Sequence, residues 1–393
     1  MPLDFPTSPT NGQVYDNWIY STAKGAWQSK PLTPAKTLVS STAPSSPAVG
    51  DQWFNSNDGT LYIYYNDGNT SQWVESRSPI TADGYKSPNY VINGAFDIWQ
   101  RGTSISSSGG SVGADMWREY TDSGSGTQAI DTADYPEGLP AQSYRFTAGA
   151  NSTNWSLFQI IESANCAPIV GKTVTVSLYL ESSVARTIRV NLSSSTTVDA
   201  AWTGSWANFA TQDFSVGTTW ARYSFTATVP STAKTLQVGI SSNGANIANG
   251  TIIKVAGVQL EEGVSATRFR RNANSIAEEL ATCQRYYYRI VATNLYGQMG
   301  IGIAEASNQA TIMVKNPVTM RVPATAVEHS GTGVWDSVNF YTVNTLTLKS
   351  GHSSRENSVV TIVVGANPLP QFRPYFLIGG NNVASYVGFS AEL

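Results

Sequence analysis

The residues best suited to touch a ligand fall in one short run, Trp202-Thr203-Gly204-Ser205-Trp206-Ala207-Asn208-Phe209. An indole face stacks on the C–H face of a sugar, and its edge N–H can hydrogen-bond a hydroxyl. An asparagine amide adds both a donor and an acceptor. Trp202, Trp206 and Asn208 are therefore the candidate glycan contacts, and they lie between strand-like segments, where a loop would display them. The competing reading is architectural: the same rings cap a sheet edge or pack between subunits. Tyr375, Phe376, Tyr386 and Phe389 pose the same choice near the C-terminus, and their alternation favours a core role.

Groups for bond-breaking chemistry are poorly placed. A glycosidase needs two carboxylates at a set separation across the scissile bond. Asp115 and Glu119 are close in sequence, as are Glu261 and Glu262, but neither pair has a distinctive setting, and both read as solvated surface charge. His329 and His352 are the only histidines, and neither has metal-ligand spacing. There is no Ser-His-Asp signature and no glycine motif of the phosphate-cradling kind. The expectation is that the chain is not an enzyme.

Composition narrows the partners. Only 13% of the 393 residues are charged, against roughly 25% in average soluble proteins. The formal net charge is −3, and the one basic cluster, Arg268, Arg270 and Arg271, reads as a solvated joint between domains. Nucleic-acid binding needs clustered Lys and Arg to neutralise phosphates, so no nucleic acid is expected. The longest apolar stretches, such as Val359 to Val364, fall far short of the roughly 20 residues of a membrane span, so no membrane insertion is expected. Met1-Pro2-Leu3-Asp4 opens no basic-then-apolar export signal. Cys166 and Cys283 are too few for a disulfide framework and read as two buried free thiols, suiting assembly in a reducing cytoplasm.

The elements that would position these residues are nearly all strands. Pro6-Thr7-Ser8-Pro9-Thr10-Asn11-Gly12 is echoed by Pro44-Ser45-Ser46-Pro47-Ala48-Val49-Gly50, and the two units close on Trp27 and Trp73. Residues 1–30 and 44–78 are thus two small β modules, joined by a Pro-rich linker over 31–43. In the second, the turn signals Asp58-Gly59 and Asn66-Asp67-Gly68 flank the strand Leu61 to Tyr65. From Asn89 the pattern has period 2: Val174, Val176, Leu178 and Leu180; then Ile188, Val190 and Leu192; then Tyr223, Phe225, Ala227 and Val229; then Leu236, Val238 and Ile240. Alternation buries one face of each strand, which predicts a two-sheet, jelly-roll-like sandwich over 89–269. One short linking helix is predicted over 274–286, opened by the capping box Ser275-Ile276-Ala277-Glu278, with Ile276, Leu280 and Cys283 on its apolar face. Residues 287–393 read as a C-terminal β-sandwich, and the fold class is all-β.

Several segments resemble a known family. Asn89-Tyr90-Val91-Ile92-Asn93-Gly94-Ala95-Phe96-Asp97-Ile98-Trp99-Gln100-Arg101-Gly102 resembles the opening of a domain of bacteriophage tail-fibre and related appendage proteins. Val258 to Gly263 with Ala266 to Phe269 resembles its end, and Glu278 to Tyr288 the helix that commonly follows. Asn316 to Pro323 is similar to the terminal domain of such proteins, and Pro44 to Trp53 to a short module of phage structural proteins.

The resemblance implies a homotrimeric virion appendage, a tail fibre or spike subunit. It would attach to other virion structural proteins (tail, neck or capsid) by its N-terminus and adsorb to host surface glycan. Two alternatives stay open: a purely structural decoration or connector protein, and a polysaccharide depolymerase. Phage depolymerases commonly use long parallel β-helices, and no short-period repeat of that kind occurs in this chain. The Asn-Gly-x-Phe opening also resembles jelly-roll carbohydrate-binding modules, which often hold a structural calcium near their first and last strands. Asn93, Asp97 and Glu261 could offer it oxygens, or the first two could make turn hydrogen bonds instead. No other cofactor is implied.

Overall fold

The structure is a computed structural model and describes residues 5–15, 18–29, 37–57, 59–76, 87–107, 109–150, 152–365 and 369–393. The chain divides into two compact units, Met1–Lys86 and Ser87–Leu393.

The first unit holds two small sheets. Val14–Tyr15, Trp18–Ser21 and Ala26–Ser29 form an antiparallel meander. It carries Trp27 stacked on Phe5 with ring centroids 5.1 Å apart. The second sheet orders Thr37–Ser40, Gln52–Asn55, Thr60–Asn66 and Ser71–Glu75. Its first strand corrects the linker expected over 31–43: residues 37–40 pair parallel with Gln52–Asn55, while 31–36 lie outside the described residues. A parallel pair needs a long crossover, and residues 41–51 supply it. Trp53 explains the docking, because its indole N–H donates to the Ser40 carbonyl and its ring stacks on Tyr62. Of the two turn signals, Gly68 has the left-handed φ of +95° that its turn requires and Gly59 has +71°; Asp58 lies outside the described residues.

The second unit begins with a sandwich of two six-stranded antiparallel sheets. One runs Ala207–Val216, Arg186–Ser195, Thr235–Ser241, Ser156–Ile161, Arg118–Tyr120, Ser111–Val112. The other runs Ala221–Thr228, Thr173–Ser182, Ile252–Glu262, Ser143–Ala148, Gly126–Asp131, Ser104–Ser107. Every inward residue expected from the Thr173 and Arg186 strands is buried, as are Leu236, Val238 and Ile240. The Ala221–Thr228 strand alternates as expected but is only half-buried on its inner face. It is an edge strand, covered on one side only.

The segment that opens the sandwich is tied to the one that closes it. Asn89 donates to the carbonyls of Val258 and Arg270 and accepts from the amides of Val91 and Leu260. Gly94 packs so closely on this strand that a Cβ there would stand 2.1 Å from the Val258 carbonyl oxygen. The basic cluster belongs to the same closure and is not simply a solvated joint. Arg271 forks onto Asp97, Arg270 pairs with Glu261, and only Arg268 is exposed.

The linking helix spans Ile276–Gln284. The Ser275 hydroxyl caps it by accepting from the Glu278 amide, while the Glu278 carboxylate takes the Asn274 amide. Its buried face is not the expected one: Cys283 is buried and Leu280 half-buried, but Ile276 is exposed and Glu279 takes the inner position. Glu279 is drawn inward because its carboxylate accepts from the amides of Asn93 and Ala273. A second, one-turn helix, Ser163–Cys166, continues into a 3₁₀ turn at Ala167–Ile169. Both cysteines are buried and free.

The expected C-terminal sandwich closes on itself. Gln298–Ala306, Gln309–Lys315, Asn357–Val364, Phe340–Leu348, Thr332–Trp335 and Pro374–Gly379 form a six-stranded barrel in that order. Beside it lies the sheet Tyr287–Val291, Tyr386–Ser390, Ala326–Ser330. Closure removes free edges, which a short terminal sheet would otherwise expose.

Candidate functional site

The Arg118–Tyr120 strand sends alternate side chains to opposite faces. Glu119 points into the sandwich and is fully buried, while Arg118 and Tyr120 face outward. Next to this strand Gly110 turns with φ +94°, and its missing side chain makes room for an indole. A Cβ on Gly110 would stand 3.2 Å from the Trp202 ring. Trp202 therefore folds over this edge. The Arg118 guanidinium lies 5.1 Å from its ring centroid and the Tyr120 ring 6.4 Å away.

Arg118 makes one hydrogen bond among the described residues, to the Gly110 carbonyl. Among the described residues no carboxylate lies within ion-pair distance of it, although a guanidinium offers five N–H donors. Partial burial pulls its pKa below the ordinary arginine value, only partly offset by Glu392. A half-buried cation with donors to spare is suited to a planar anion.

Arg118 opens on a groove of about 400 Å³ between the sandwich edge and the three-stranded sheet, lined also by Arg101, Tyr287, Glu328 and Glu392. The floor is already neutralised. Arg101 forks onto Glu392 and stacks over the Tyr287 ring at 3.4 Å. Arg289 donates to Glu328 and to the Tyr287 hydroxyl, which itself donates to Glu328. Burial pushes the Glu328 carboxyl up, but the bonds from Tyr287 and Arg289 and the charges of Arg101 and Arg289 outweigh it and hold the pKa down. Arg101 and Arg289 are thus each paired with a carboxylate, whereas Arg118 has none within ion-pair distance among the described residues.

The three aromatic-loop candidates separate. Trp202 lies beside the groove, against Gly110 and Arg118 of its lining. The Trp206 indole N–H donates to the Ala201 carbonyl and braces the loop. Asn208 lies on the next strand, where its amide oxygen accepts from Ser193 and Asn191. Near the C-terminus Tyr375 and Phe389 are core, and Phe376 and Tyr386 are half-buried. His329 and His352 are each tied locally, to Thr332 and to the Ser350 carbonyl.

The calcium candidates are each already engaged by protein partners. Asn93 spends its amide on the Ile98 and Asp115 carbonyls and the Ile98 amide. Asp97 is held by Arg271 and Gln142. Glu261 accepts from Gln259, Thr267 and Arg270. Among the described residues no group of three or more acidic, histidine or cysteine side chains could hold a metal.

The carboxylates read as solvated also need correction. Asp115 and Glu119 are both buried, the first in the turn that leads into the Arg118–Tyr120 strand and the second on the inner face of that strand. Burial raises Asp115 to about 6, against the hydrogen bonds it accepts from Gln100. Burial alone raises Glu119 to about 8, and neither of its oxygens has a hydrogen-bond partner among the described residues. Glu261 is buried as well, leaving Glu262 exposed and paired with Lys172.

No protein-family model matches the sequence, and no curated protein matches it. Solved structures similar to it include one titled "CBM4 structure and function", at 19% identity and TM-score 0.29, covering 44% of this chain and 98% of the other. Another is the enzymatically active domain of bacteriophage CBA120 tailspike protein 4, at 13% identity and TM-score 0.31, covering 44% of this chain and 21% of that one. A third is TmCBM61 in complex with β-1,4-galactotriose, at 10% identity and TM-score 0.29, covering 45% and 100%.

Proposed function

We propose that this chain is a non-enzymatic subunit of a phage virion appendage that binds acidic glycans of the host surface in the Trp202–Arg118 groove. The carrying observation is the spare guanidinium of Arg118 beside the Trp202 ring at the mouth of that groove. An indole supplies stacking for a sugar ring, and a guanidinium supplies two parallel donors for a sugar carboxylate. The virion role is supported by the resemblance of the Asn89 and Val258 segments, and by the small aromatic β modules that precede them. In this reading the modules attach to the particle, the chain assembles as a homotrimer in the host cytoplasm, and three weak sites act together through effective concentration.

Calorimetric titration of the intact protein with uronate-bearing and neutral oligosaccharides tests the site. Binding should favour the acidic sugars, and Arg118→Ala or Trp202→Ala should each weaken it at least tenfold. Equal affinity for neutral and acidic sugars, or acidic-sugar binding unmoved by both substitutions, would overturn it. Loss of host-cell adsorption by virions carrying the same substitutions tests the biological half.

A further inference from the structure

The sheet face that carries Arg118 is apolar on both sides of it. Directly opposed residues on neighbouring strands share a face, and Arg118 stands opposite Val112 on one neighbour and Phe158 on the other. Ile160, two residues past Phe158 in the same strand, points the same way. With Met116, and with Tyr286 and Leu393 from the C-terminal side, these side chains wall a recess of about 30 Å³. The recess and the groove described above share Val112, Arg118 and Glu392. A ligand held by the Arg118 guanidinium therefore borders both.

The recess suits a small apolar group. One water needs about 10–15 Å³ on the same measure, together with two to four polar partners. The space thus takes a group of one or two heavy atoms, but it offers few partners to a water. Apart from Arg118, the charged group in its wall is Glu392, whose carboxylate already accepts from Arg101 and Ser390. A methyl group needs no partner and would displace a poorly held water to its own advantage.

We propose that the groove selects acidic sugars whose carboxylate and a methyl group sit on the same carbon, as in lactyl ethers and pyruvate ketals. This rests on the acidic-glycan reading above and narrows its substrate class. Arg118 takes the carboxylate with two parallel N–H donors. Because Arg118 also lines the recess, the atom that fills it must lie within a bond or two of that carboxylate. A methyl on the adjacent carbon meets this condition. A uronate carboxylate, set directly on the sugar ring, has no such methyl and leaves the recess unfilled.

Calorimetric titration of the full chain with the carboxymethyl and the lactyl ether of glucose tests it, because the two carry the same charge and differ by one methyl. The lactyl ether should bind about tenfold tighter, the low end for a single carbon in a fitted apolar pocket. Whichever of the lactyl ether and a pyruvate ketal of methyl galactoside binds tighter identifies the carrier. Val112→Phe fills the recess from the sheet edge and should bring the ratio of the two ether affinities close to one. Val112→Leu, a smaller filling, replaces it if its far-ultraviolet spectrum shows a loss of strand signal. Equal binding of both ethers, abolished by Arg118→Ala, would overturn this inference and leave the acidic-glycan reading standing. A lactyl preference that survives the filling of the recess would also overturn it, since the methyl would then sit elsewhere. Failure of both ethers and of uronates to bind would overturn the two readings together.

Discussion

Arg118 and Glu119 are adjacent, and a strand sends them to opposite environments. In sequence, Glu119 reads as one more surface acid. Its burial depends on which face of a three-residue strand meets the core, and so short a strand carries too little alternation to reveal it. For the same reason Trp202 could be picked out from its residue type, whereas Arg118 could not: the two meet only because Gly110, some 90 positions away, leaves space for the indole. The Glu119 carboxyl makes a prediction with a definite sign. Its folded pKa of about 8 lies above the ordinary value, so folding favours the protonated form. At low pH both states hold the proton and nothing is lost. Between about pH 4.5 and 8 the unfolded chain releases it first, so stability falls as pH rises, and above 8 the loss is constant. At about 1.4 kcal/mol per pKa unit the effect is on the order of 5 kcal/mol. Glu119→Gln cannot ionise, so the variant should gain on wild type between pH 5 and pH 9 in urea denaturation. A difference that stays flat over this range would show that Glu119 is solvated.

At the scale of elements, periodicity exposed the long strands and missed what joins them. The Thr173 and Arg186 strands alternate over ten residues each, and their inner faces were legible from one end to the other. Thr37–Ser40 has four residues and two exposed apolars, so nothing local separates it from a linker. The Asn89-to-Phe96 motif was visible as a pattern, but its role is geometric: Asn89 replaces ladder hydrogen bonds, and Gly94 lets two backbones approach. That predicts a steep cost at one atom. Gly94→Ala would drive a methyl into the Val258 carbonyl, and overpacking of this kind costs about 1–3 kcal/mol, more where backbone must move. Urea denaturation should place the variant at least 3 kcal/mol below wild type, at the upper end because the obstacle is backbone. A loss under about 1 kcal/mol would mean that the opening segment is not clamped to the closing strand.

At the scale of the molecule, the sandwich and the barrel read in sequence as consecutive domains, yet both lie within the unit Ser87–Leu393. Several polar ties cross between the sandwich side and the C-terminal side. Arg101 pairs with Glu392, Gln100 donates to the Tyr287 carbonyl, Arg285 pairs with Glu162, and Arg321 pairs with Asp199. Arginine and carboxylate positions separated by more than a hundred residues have no local signature, which is why this weld was illegible. Its consequence is cooperative unfolding. Glu162 is 4% exposed and Arg101 and Glu392 are 13% and 14% exposed, so separating the halves would strand one buried and two largely buried charges, and breaking one buried partner costs about 3–5 kcal/mol. That penalty exceeds what either half could gain by opening alone, and the two should melt together. Scanning calorimetry of a Ser87–Leu393 fragment should therefore show one transition whose calorimetric and van't Hoff enthalpies agree. Arg101→Met with Glu392→Gln, combined with Arg285→Met and Glu162→Gln, removes both charges of two ties without stranding any of them, and should broaden the peak or split it in two while leaving each half folded. Two transitions already present in the unsubstituted fragment would mean that the ties do not couple the domains, and the groove between them would then lack a fixed floor.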